Sequence, residues 1–291
     1  MQGYATVMIE QTLEQALTLT PTEPGVLTAD IHGDFSNGLI SAPPESGFPF
    51  GGLIAALSAA AMARGLGLSA PLRTLSVQYM TPARFGQTLA FRPRLLRGGR
   101  SASFAGVDAV QGDRLTNHAT ATFGDDVAGM AMTPLRAPPP LARLQEGGTL
   151  TGPLSPRFSQ HVDYRFDTGP HILQPDPARP VVERAWMRTI DGRPLDALGL
   201  SFLLDAIYPP VWTALDRPVG MSTVDLRYDF LTDATPELCP DGWAFFEFRM
   251  LDFGLGWTVD EAIAWAADGT PLAVSRQRRK LAPVRMPRVE R

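Results

Sequence analysis

The segment Gly199-Leu-Ser-Phe-Leu-Leu-Asp205-Ala-Ile-Tyr-Pro-Pro210 is almost wholly apolar and contains one carboxylate in its middle. It predicts a helix over residues 198–208 that ends before the proline pair, because proline lacks a backbone N–H and disfavours helical backbone in the residue before it. An ionised carboxylate that leaves water without a partner is energetically costly. Asp205 therefore lies either on a solvated face of the helix, or in a site where donors hold it for a function.

The composition indicates an ordinary folded protein. The chain has 291 residues, of which 44% are hydrophobic and 19% charged, and this length favours two domains. No run of about 18 apolar residues is present, so we expect no transmembrane helix and no membrane partner. The N-terminal residues lack the basic start and apolar core of a secretory signal, and a cytoplasmic location is therefore predicted.

Several chemistries are disfavoured by what the sequence contains. A formal net charge of -4 gives no electrostatic reason to bind nucleic acid. The four histidines show no paired helical spacing and no Cys-x-x-Cys occurs, so no metal site is expected. The single cysteine, Cys239, lies in a turn-like segment without a neighbouring base. No phosphate-binding glycine loop and no Gly-x-Ser-x-Gly elbow is present, so we predict no cofactor and no serine mechanism.

The first half of the chain predicts one long helix among strands. The alanine-rich run over residues 53–64 follows Gly51-Gly52 and predicts a helix, and residues 26–33 before it predict a strand. A short helix is predicted over 6–18, with a break at 21–25. Four further strands, separated by hairpin signals, are predicted over 72–80, 87–96, 101–111 and 114–123. One helix with this many consecutive strands favours an antiparallel sheet that curls around the helix.

The same order of elements occurs again in the second half. Strands are predicted over 160–166 and 181–189, followed by the helix at 198–208. Four more strands are predicted over 223–230, 243–252, 257–267 and 271–281. The proline- and glycine-rich stretch between the halves has no apolar period and predicts a linker. The sequence thus predicts two tandem repeats, at 1–136 and 158–291, joined by a linker at 137–157.

The two halves also align residue by residue. Gly52-Leu-Ile-Ala-Ala-Leu-Ser58 lies over Gly199-Leu-Ser-Phe-Leu-Leu-Asp205 without a gap, so Asp205 is opposite Ser58. Aligning the following strands places Thr223 opposite Thr74, and Gln277 opposite Thr120. The second half therefore has a carboxylate, a hydroxyl and an amide at positions where the first half has hydroxyls alone. This difference indicates one functional site in the second half.

This order and local sequence resemble the TesB-like acyl-CoA thioesterase family over about residues 26–285. Phe50-Gly51-Gly52 is similar to the Phe-Gly-Gly at the head of that family's first helix. Asp205, the triplet Thr223-Val-Asp225 and Gln277 match three motifs of the family's second half. Two residues depart from the pattern: Leu53 stands where the family often has Gln, and Arg276 precedes Gln277. The second departure can alter access to the site.

The resemblance implies an α+β double hotdog fold, in which two long central helices are each wrapped by an antiparallel sheet to form a pseudo-dimer. It further implies hydrolysis of acyl-CoA to a carboxylic acid and CoA, with Asp205, Thr223 and Gln277 holding the hydrolytic water. Asp205 can act as the general base for that water. The glycines that begin the two helices, Gly51, Gly52 and Gly199, either expose backbone N–H groups to the oxyanion or allow tight packing. The sequence does not decide which helix binds the oxyanion.

Other interpretations stay open for the binding surfaces and the reaction. Arg276 and Arg278, with the neighbouring arginines, either contact the CoA phosphates or form a solvated strand edge. A non-catalytic acyl-CoA-binding protein is one alternative function. An enoyl-thioester hydratase or dehydratase is another, but such enzymes need a histidine on the hotdog helix, and neither predicted helix contains one. Unpaired sheet edges allow a homo-oligomer.

Overall fold

A computed structural model of the protein describes residues 9–130, 132–137, 150, 152 and 154–282. Within these residues the chain forms three α-helices, α1 (Leu13–Ala16), α2 (Gly51–Leu66) and α3 (Ala197–Leu203). The strands of the first half are β1 (Thr20–Glu23), β2 (Val26–Ala29), β3 (Leu72–Tyr79), β4 (Leu89–Arg97), β5 (Ala102–Gln111) and β6 (Arg114–Gly124). Those of the second half are β7 (Val162–Phe166), β8 (Val182–Thr189), β9 (Met221–Phe230), β10 (Ala244–Gly254), β11 (Trp257–Trp265) and β12 (Pro271–Leu281).

The twelve described strands form one antiparallel sheet. Their order is β1-β2-β4-β5-β6-β3-β9-β12-β11-β10-β8-β7, and β3 pairs with β9 at the centre. Counted outward from this central pair, the strands follow the same chain order in both directions. The predicted antiparallel sheet is therefore confirmed, and most strand bounds agree with the prediction to within two residues.

Helix α2 is the helix predicted over residues 53–64, and it is two residues longer at each end. Every residue from Gly52 to Met62 is buried, because the small alanine side chains let neighbouring elements approach from several sides. The helix packs against β4, β5, β6 and α3. It ends at Gly67, whose φ of 62° is the left-handed conformation that favours glycine at a helix end.

Helix α3 is shorter than predicted, because it ends at Leu203 rather than continuing to residue 208. The N–H of Asp205 bonds to the carbonyl of Phe202, and the N–H of Ala206 to that of Leu203, so the chain tightens into a turn. The two prolines cannot supply the N–H groups that a longer helix needs. Asp205 therefore lies in the turn after α3, not in the middle of a helix.

The N-terminal prediction also needs correction. The helix predicted over 6–18 is confined to α1 in the described residues, and the predicted break at 21–25 contains β1. Prolines flank and interrupt β1, but it is an edge strand, where a missing N–H is tolerated. Strand β2 ends at Ala29, before the predicted end at residue 33, because Gly33–Phe35 forms a 3-10 turn.

The linker predicted over 137–157 lies mostly outside the described residues. At its start, Leu135 and Ala137 pack on a largely aromatic cluster of the second half, formed by Trp186, Trp243, Phe245, Ile263 and Trp265. After it, the backbone N–H of Phe158 donates a hydrogen bond to the carbonyl of Ser36 at 3.0 Å, which ties the two halves together. No helix in the described part of the chain is long and apolar enough to cross a membrane.

Candidate active site

A polar cluster lies on the inward face of three neighbouring strands, β9, β12 and β11. Gln277 on β12 is opposite Leu226 of β9 on one side and Asp260 of β11 on the other. Because side chains alternate along a strand, Arg279 shares the face of Gln277, and both residues are buried. Their face of the sheet meets the turn after α3, where Asp205 is also buried. The solvated-face interpretation of Asp205 is therefore wrong.

Thr223 faces this cluster because β9 contains a β-bulge. Asp225 and Thr223 pair with successive residues of β12, which leaves Val224 as an extra residue. With strict alternation Thr223 would share the outward face of Asp225, away from Leu226. The extra residue reverses the alternation and turns Thr223 inward, a change that β-bulges near active sites often make.

Gln277 connects the two other residues that the sequence singled out. Its Nε2 donates to Oδ1 of Asp205 at 2.9 Å and to Oγ1 of Thr223 at 2.5 Å. Its Oε1 accepts a hydrogen bond from the guanidinium of Arg279. This contact fixes the orientation of the amide, because the reverse orientation would place its NH₂ group against the cationic donor. Both amide hydrogens of Gln277 are thus used to hold Asp205 and Thr223.

The N-terminus of α2 supplies the next contact of Asp205. The backbone N–H of Gly52 faces the carboxylate and lowers its pKa, and the positive end of the helix dipole favours a negative charge there. The approach is close: a Cβ on Gly51 would lie 2.9 Å from Oδ2 of Asp205, and a Cβ on Gly52 would lie 2.9 Å from the carbonyl oxygen of Phe202. The glycine pair is therefore required for contact between the two helices.

The environment of Asp205 changes its acidity. Burial raises its pKa from the ordinary value of 3.8 to about 6, against the opposing effects of Arg279, Gln277 and the Gly52 N–H. The carboxyl group is therefore mostly ionised at neutral pH, yet it is a stronger base than an exposed aspartate. A general base is most useful when its pKa is near the working pH.

Three other predicted residues lie outside this cluster. Gly199 is near the start of α3, and its N–H donates to Oδ1 of Asp196 at 2.7 Å. Arg276 and Arg278 are exposed on the face of β12 opposite to Gln277, and Arg276 pairs with Glu261 at 3.1 Å. Strand alternation separates these arginines from the cluster. The more distant arginines of that group, at 285, 288 and 291, lie outside the described residues.

The sequence interpretation missed two residues of the cluster, Arg279 and Asp260. Arg279 pairs with the carboxylate of Asp260, and its guanidinium is 3.8 Å from Oδ1 of Asp205. The sequence interpretation places Arg279 among the arginines that either contact the CoA phosphates or form a solvated strand edge. Its spacing of two from Gln277 on a strand is the signal that would have placed both side chains on one face.

A small cavity opens beside the carboxylate of Asp205. The water-sized space in it is about 10 Å³, which is close to the space of a single water molecule. Its polar wall consists of Asp205, Asp260, Glu261, Ser275, Gln277 and Arg279. Its apolar wall consists of Leu204, Ile207, Pro210, Phe248 and Ala262. A single water beside the base and an apolar surface next to it suit hydrolysis of a substrate with an apolar group.

Metal and thiol chemistry have less support in this region. In the described ranges, no group of three or more His, Cys, Asp or Glu side chains is arranged to hold a metal ion. The thiol of Cys239 is buried, and burial raises its pKa to about 11. It is therefore protonated at neutral pH, and a thiol is a poor nucleophile compared with its thiolate.

Comparison with solved structures defines the fold class. A conserved protein of unknown function with hot dog fold from Alicyclobacillus acidocaldarius is 22% identical, with a TM-score of 0.81 over 95% of this chain and 100% of that chain. The acyl-CoA thioesterase II TesB2 from Mycobacterium marinum is 17% identical, with a TM-score of 0.73 over 94% of this chain and 99% of that one. The chain therefore has an α+β hot dog fold. A search of curated proteins gives no match.

Family models match both halves of the chain. Residues 41–124 match the acyl-CoA thioesterase N-terminal domain, and residues 133–278 match the acyl-CoA thioesterase C-terminal domain. The chain belongs to the acyl-CoA thioesterase family. It is a thioester hydrolase whose substrates are acyl-CoA thioesters.

Proposed function

We propose that Asp205, Thr223 and Gln277 are the catalytic residues of this acyl-CoA thioesterase and that Asp205 is the general base. The observation that supports this most strongly is the pair of hydrogen bonds from Gln277 to Asp205 and Thr223, beside a cavity for one water. Thr223 accepts its bond from Gln277, so its own O–H is available to donate to the water. The water is thereby oriented for attack, which is the contribution that positioning makes to catalysis.

The reaction then follows from these positions. The water oxygen attacks the thioester carbonyl carbon while Asp205 takes one proton from the water. The carbonyl oxygen becomes an oxyanion in the tetrahedral intermediate. When this intermediate collapses, the C–S bond breaks and the thiolate sulfur of CoA takes the proton from Asp205. The products are the free carboxylic acid and CoA, and Asp205 is ionised again.

The N-terminus of α2 is the better candidate for binding the oxyanion. The first backbone N–H groups of a helix have no partner within it, and those of α2 begin at Gly51, next to Asp205. The N–H of Gly52 already faces the carboxylate. Helix α3 presents its other end to Asp205, so Gly199 is distant from the reacting atoms. We therefore assign the oxyanion to the first turn of α2.

Two surfaces next to the proposed catalytic residues are candidates for binding the substrate. The apolar residues of the cavity wall, Ile207, Pro210 and Phe248 among them, can contact the acyl group. Arg276 and Arg278 stay the predicted contacts for the phosphates of CoA, on the exposed face of β12. We also propose that the protein is cytoplasmic and that it can form a homo-oligomer.

We further propose that the sheet consists of two tandem hotdog repeats, 1–136 and 158–291 with a linker at 137–157, that form a pseudo-dimer. The identical strand order on both sides of β3 and β9 supports this. The sequence alignment places Val77 opposite Leu226. In the sheet, Val77 of β3 pairs with Ala119 of β6, and Leu226 of β9 pairs with Gln277 of β12. The counterpart of Gln277 is then Ala119, one residue before the position that the sequence alignment gave.

A thiol-release assay tests the proposed catalytic residues. Wild-type protein is expected to release CoA from acyl-CoA, and a series of acyl chain lengths would define its preference. Asp205→Asn should lower kcat at least about tenfold, the low end of what a lost general base costs, with the fold retained. Thr223→Ala and Gln277→Ala should also lower kcat. Unchanged turnover in Asp205→Asn would remove Asp205 from this role, and tight acyl-CoA binding without release by the wild type would favour a binding protein.

A further inference from the structure

Arg279 and Asp260 form a buried ion pair next to the proposed catalytic residues. The two residues are 6% and 5% exposed, so their charges have little contact with water. The Asp260 carboxylate pairs with one end of the guanidinium and also accepts a hydrogen bond from Oγ1 of Thr258 at 3.2 Å. Buried charges are tolerated in proteins when they are paired and hydrogen-bonded in this way.

The other end of the guanidinium faces the proposed catalytic residues. It donates a hydrogen bond to Oε1 of Gln277 and lies 3.8 Å from Oδ1 of Asp205. A chain of contacts thus runs from Asp260 through Arg279 to Gln277, and from there to Asp205. Without Arg279, the Gln277 oxygen would lose its donor, and the bond from Nε2 to Asp205 alone would favour the present orientation of the amide.

We propose that Arg279 and Asp260 are a positioning pair for the thioesterase reaction. Arg279 holds the amide of Gln277 in the orientation that directs its nitrogen to Asp205 and Thr223, and its charge stabilises ionised Asp205. Asp260 fixes the guanidinium and competes with Asp205 for the same positive charge. This proposal rests on the proposed roles of Asp205 and Gln277.

The groups around Asp205 give the pair a defined electrostatic effect. Tyr79 of β3 and Tyr228 of β9 are nearby, but burial raises the pKa of both phenols, so they stay neutral. From β11 and β12 the charged residues that line the cavity with Asp205 are Asp260, Glu261 and Arg279. Glu261 is paired with Arg249 and Arg276, and the N-terminal turn of α2 adds its dipole. The pKa of Arg279 is lowered by burial to about 10, so the guanidinium is charged at neutral pH.

Opposite shifts in the pH profile would distinguish this role from a structural one. The acid limb is the pH range over which kcat/KM rises as the base becomes ionised. Arg279→Met removes the positive charge, so ionised Asp205 is less stable and the acid limb should move to higher pH by about one unit. Asp260→Asn keeps the shape and removes the competing negative charge, so the limb should move down. Arg279→Lys keeps the charge but loses the second N–H contact, so kcat should fall while the limb stays near its wild-type position.

Arg227 and Asp229 provide a matched control. They form an exposed pair on neighbouring β9 at 3.0 Å, and exposed charges are screened by salt. Arg227→Met and Asp229→Asn should leave both kcat and the limb unchanged. Circular dichroism and thermal unfolding would verify the fold of every variant. If Arg279→Met does not fold, Asp260→Asn and Arg279→Lys still decide the question.

The outcomes distinguish a failure of the positioning pair from a failure of Asp205 as the base. If the acid limb persists in Asp205→Asn, the limb does not belong to Asp205 and the proposed catalytic role fails. If Asp205→Asn abolishes the limb but Asp260→Asn leaves it unmoved, the base is correct and the positioning pair is refuted. Opposite shifts in Arg279→Met and Asp260→Asn, with no shift in the controls, would support the pair.

Discussion

Asp205 combines burial with several partners that favour its ionised form, and this balance would set the pH range of activity if Asp205 is the base, as proposed. Its pKa is raised by burial to about 6, and the base must be ionised to accept a proton. We therefore expect kcat/KM for an acyl-CoA substrate to rise through an acid limb centred near pH 6 and to level off above it. A pH series of thiol-release rates measures this. A limb near the ordinary aspartate value of 3.8 would contradict the assignment.

The same pKa predicts a cost in stability. Because the folded-state pKa of Asp205 is raised above its unfolded value, its contribution to stability is fully present below about pH 3.8 and is lost as pH rises through about 6. A shift of this size corresponds to about 3 kcal/mol. Asp205→Asn should therefore match the wild type near pH 4 and exceed its free energy of unfolding by up to about 3 kcal/mol at pH 8. Denaturant unfolding at both pH values would test this, and equal stability at pH 8 would contradict it.

At the scale of elements, the position of Thr223 opposite Arg279 of β12 determines where its side chain points. Deleting Val224 removes the bulge but makes Thr223 the neighbour of outward-facing Asp225, so regular alternation keeps Thr223 on the inward face. We expect the deletion variant to keep a kcat well above that of Thr223→Ala in a thiol-release assay. Adding Thr223→Ala to the deletion should lower kcat to the level of Thr223→Ala alone. A loss in the deletion variant as large as that in Thr223→Ala would show that the bulge itself is needed to bring Thr223 to Gln277.

The N-terminus of α2 is a second element on which the site depends. In Gly52→Ala, the new Cβ would lie 2.9 Å from the carbonyl oxygen of Phe202, which is backbone and cannot rotate away. The helix must shift, and the Gly52 N–H then leaves Asp205. We expect kcat/KM to fall at least about tenfold, and the acid limb to move to higher pH, because an interaction that favours the ionised form is lost. Gly254→Ala, whose Cβ would meet nothing within 4 Å, should retain wild-type activity.

Some of these elements were predictable and others were not. The apolar period and the hairpin signals indicate the strands and α2, since both depend on local sequence. The end of α3 depends on both local and tertiary features. The prolines after residue 208 remove backbone donors, and the hydroxyl of Tyr164 donates to the carbonyl of Ala206 at 2.5 Å, a contact that no local pattern reveals. The bulge at Val224 is likewise a property of strand pairing. Arg279 was missed because a run of arginines suggests a solvated edge, and alternation on β12 buries one of them.

At the scale of the whole molecule, both halves contribute residues to the proposed catalytic site. Gly52 comes from the first half, and Asp205, Thr223 and Gln277 come from the second. In the first half, Ala119 occupies the position of Gln277 in the sheet. The bulge of β3 lies before Thr74 rather than after it, so Thr74 stays on the outward face. The first half therefore lacks a hydroxyl and an amide at the equivalent place.

Ser58 is the position that tests whether the chain has one site. Its Oγ donates to the carbonyl of Ile54 at 2.8 Å and accepts a hydrogen bond from Asn117 at 3.1 Å, so its contacts are those of a buried structural hydroxyl. Ser58→Ala leaves the Asn117 amide without that partner and should lower the free energy of unfolding by about 1–3 kcal/mol. We expect its kcat to stay within about twofold of the wild type, because the described hydrogen-bond partners of Ser58, Ile54 and Asn117, include no group that can act as a base. Asp205→Asn should lose at least about tenfold. Thiol-release and unfolding measurements on both variants make the comparison. A comparable loss of kcat in a folded Ser58→Ala protein would mean that the first half contributes a second active site.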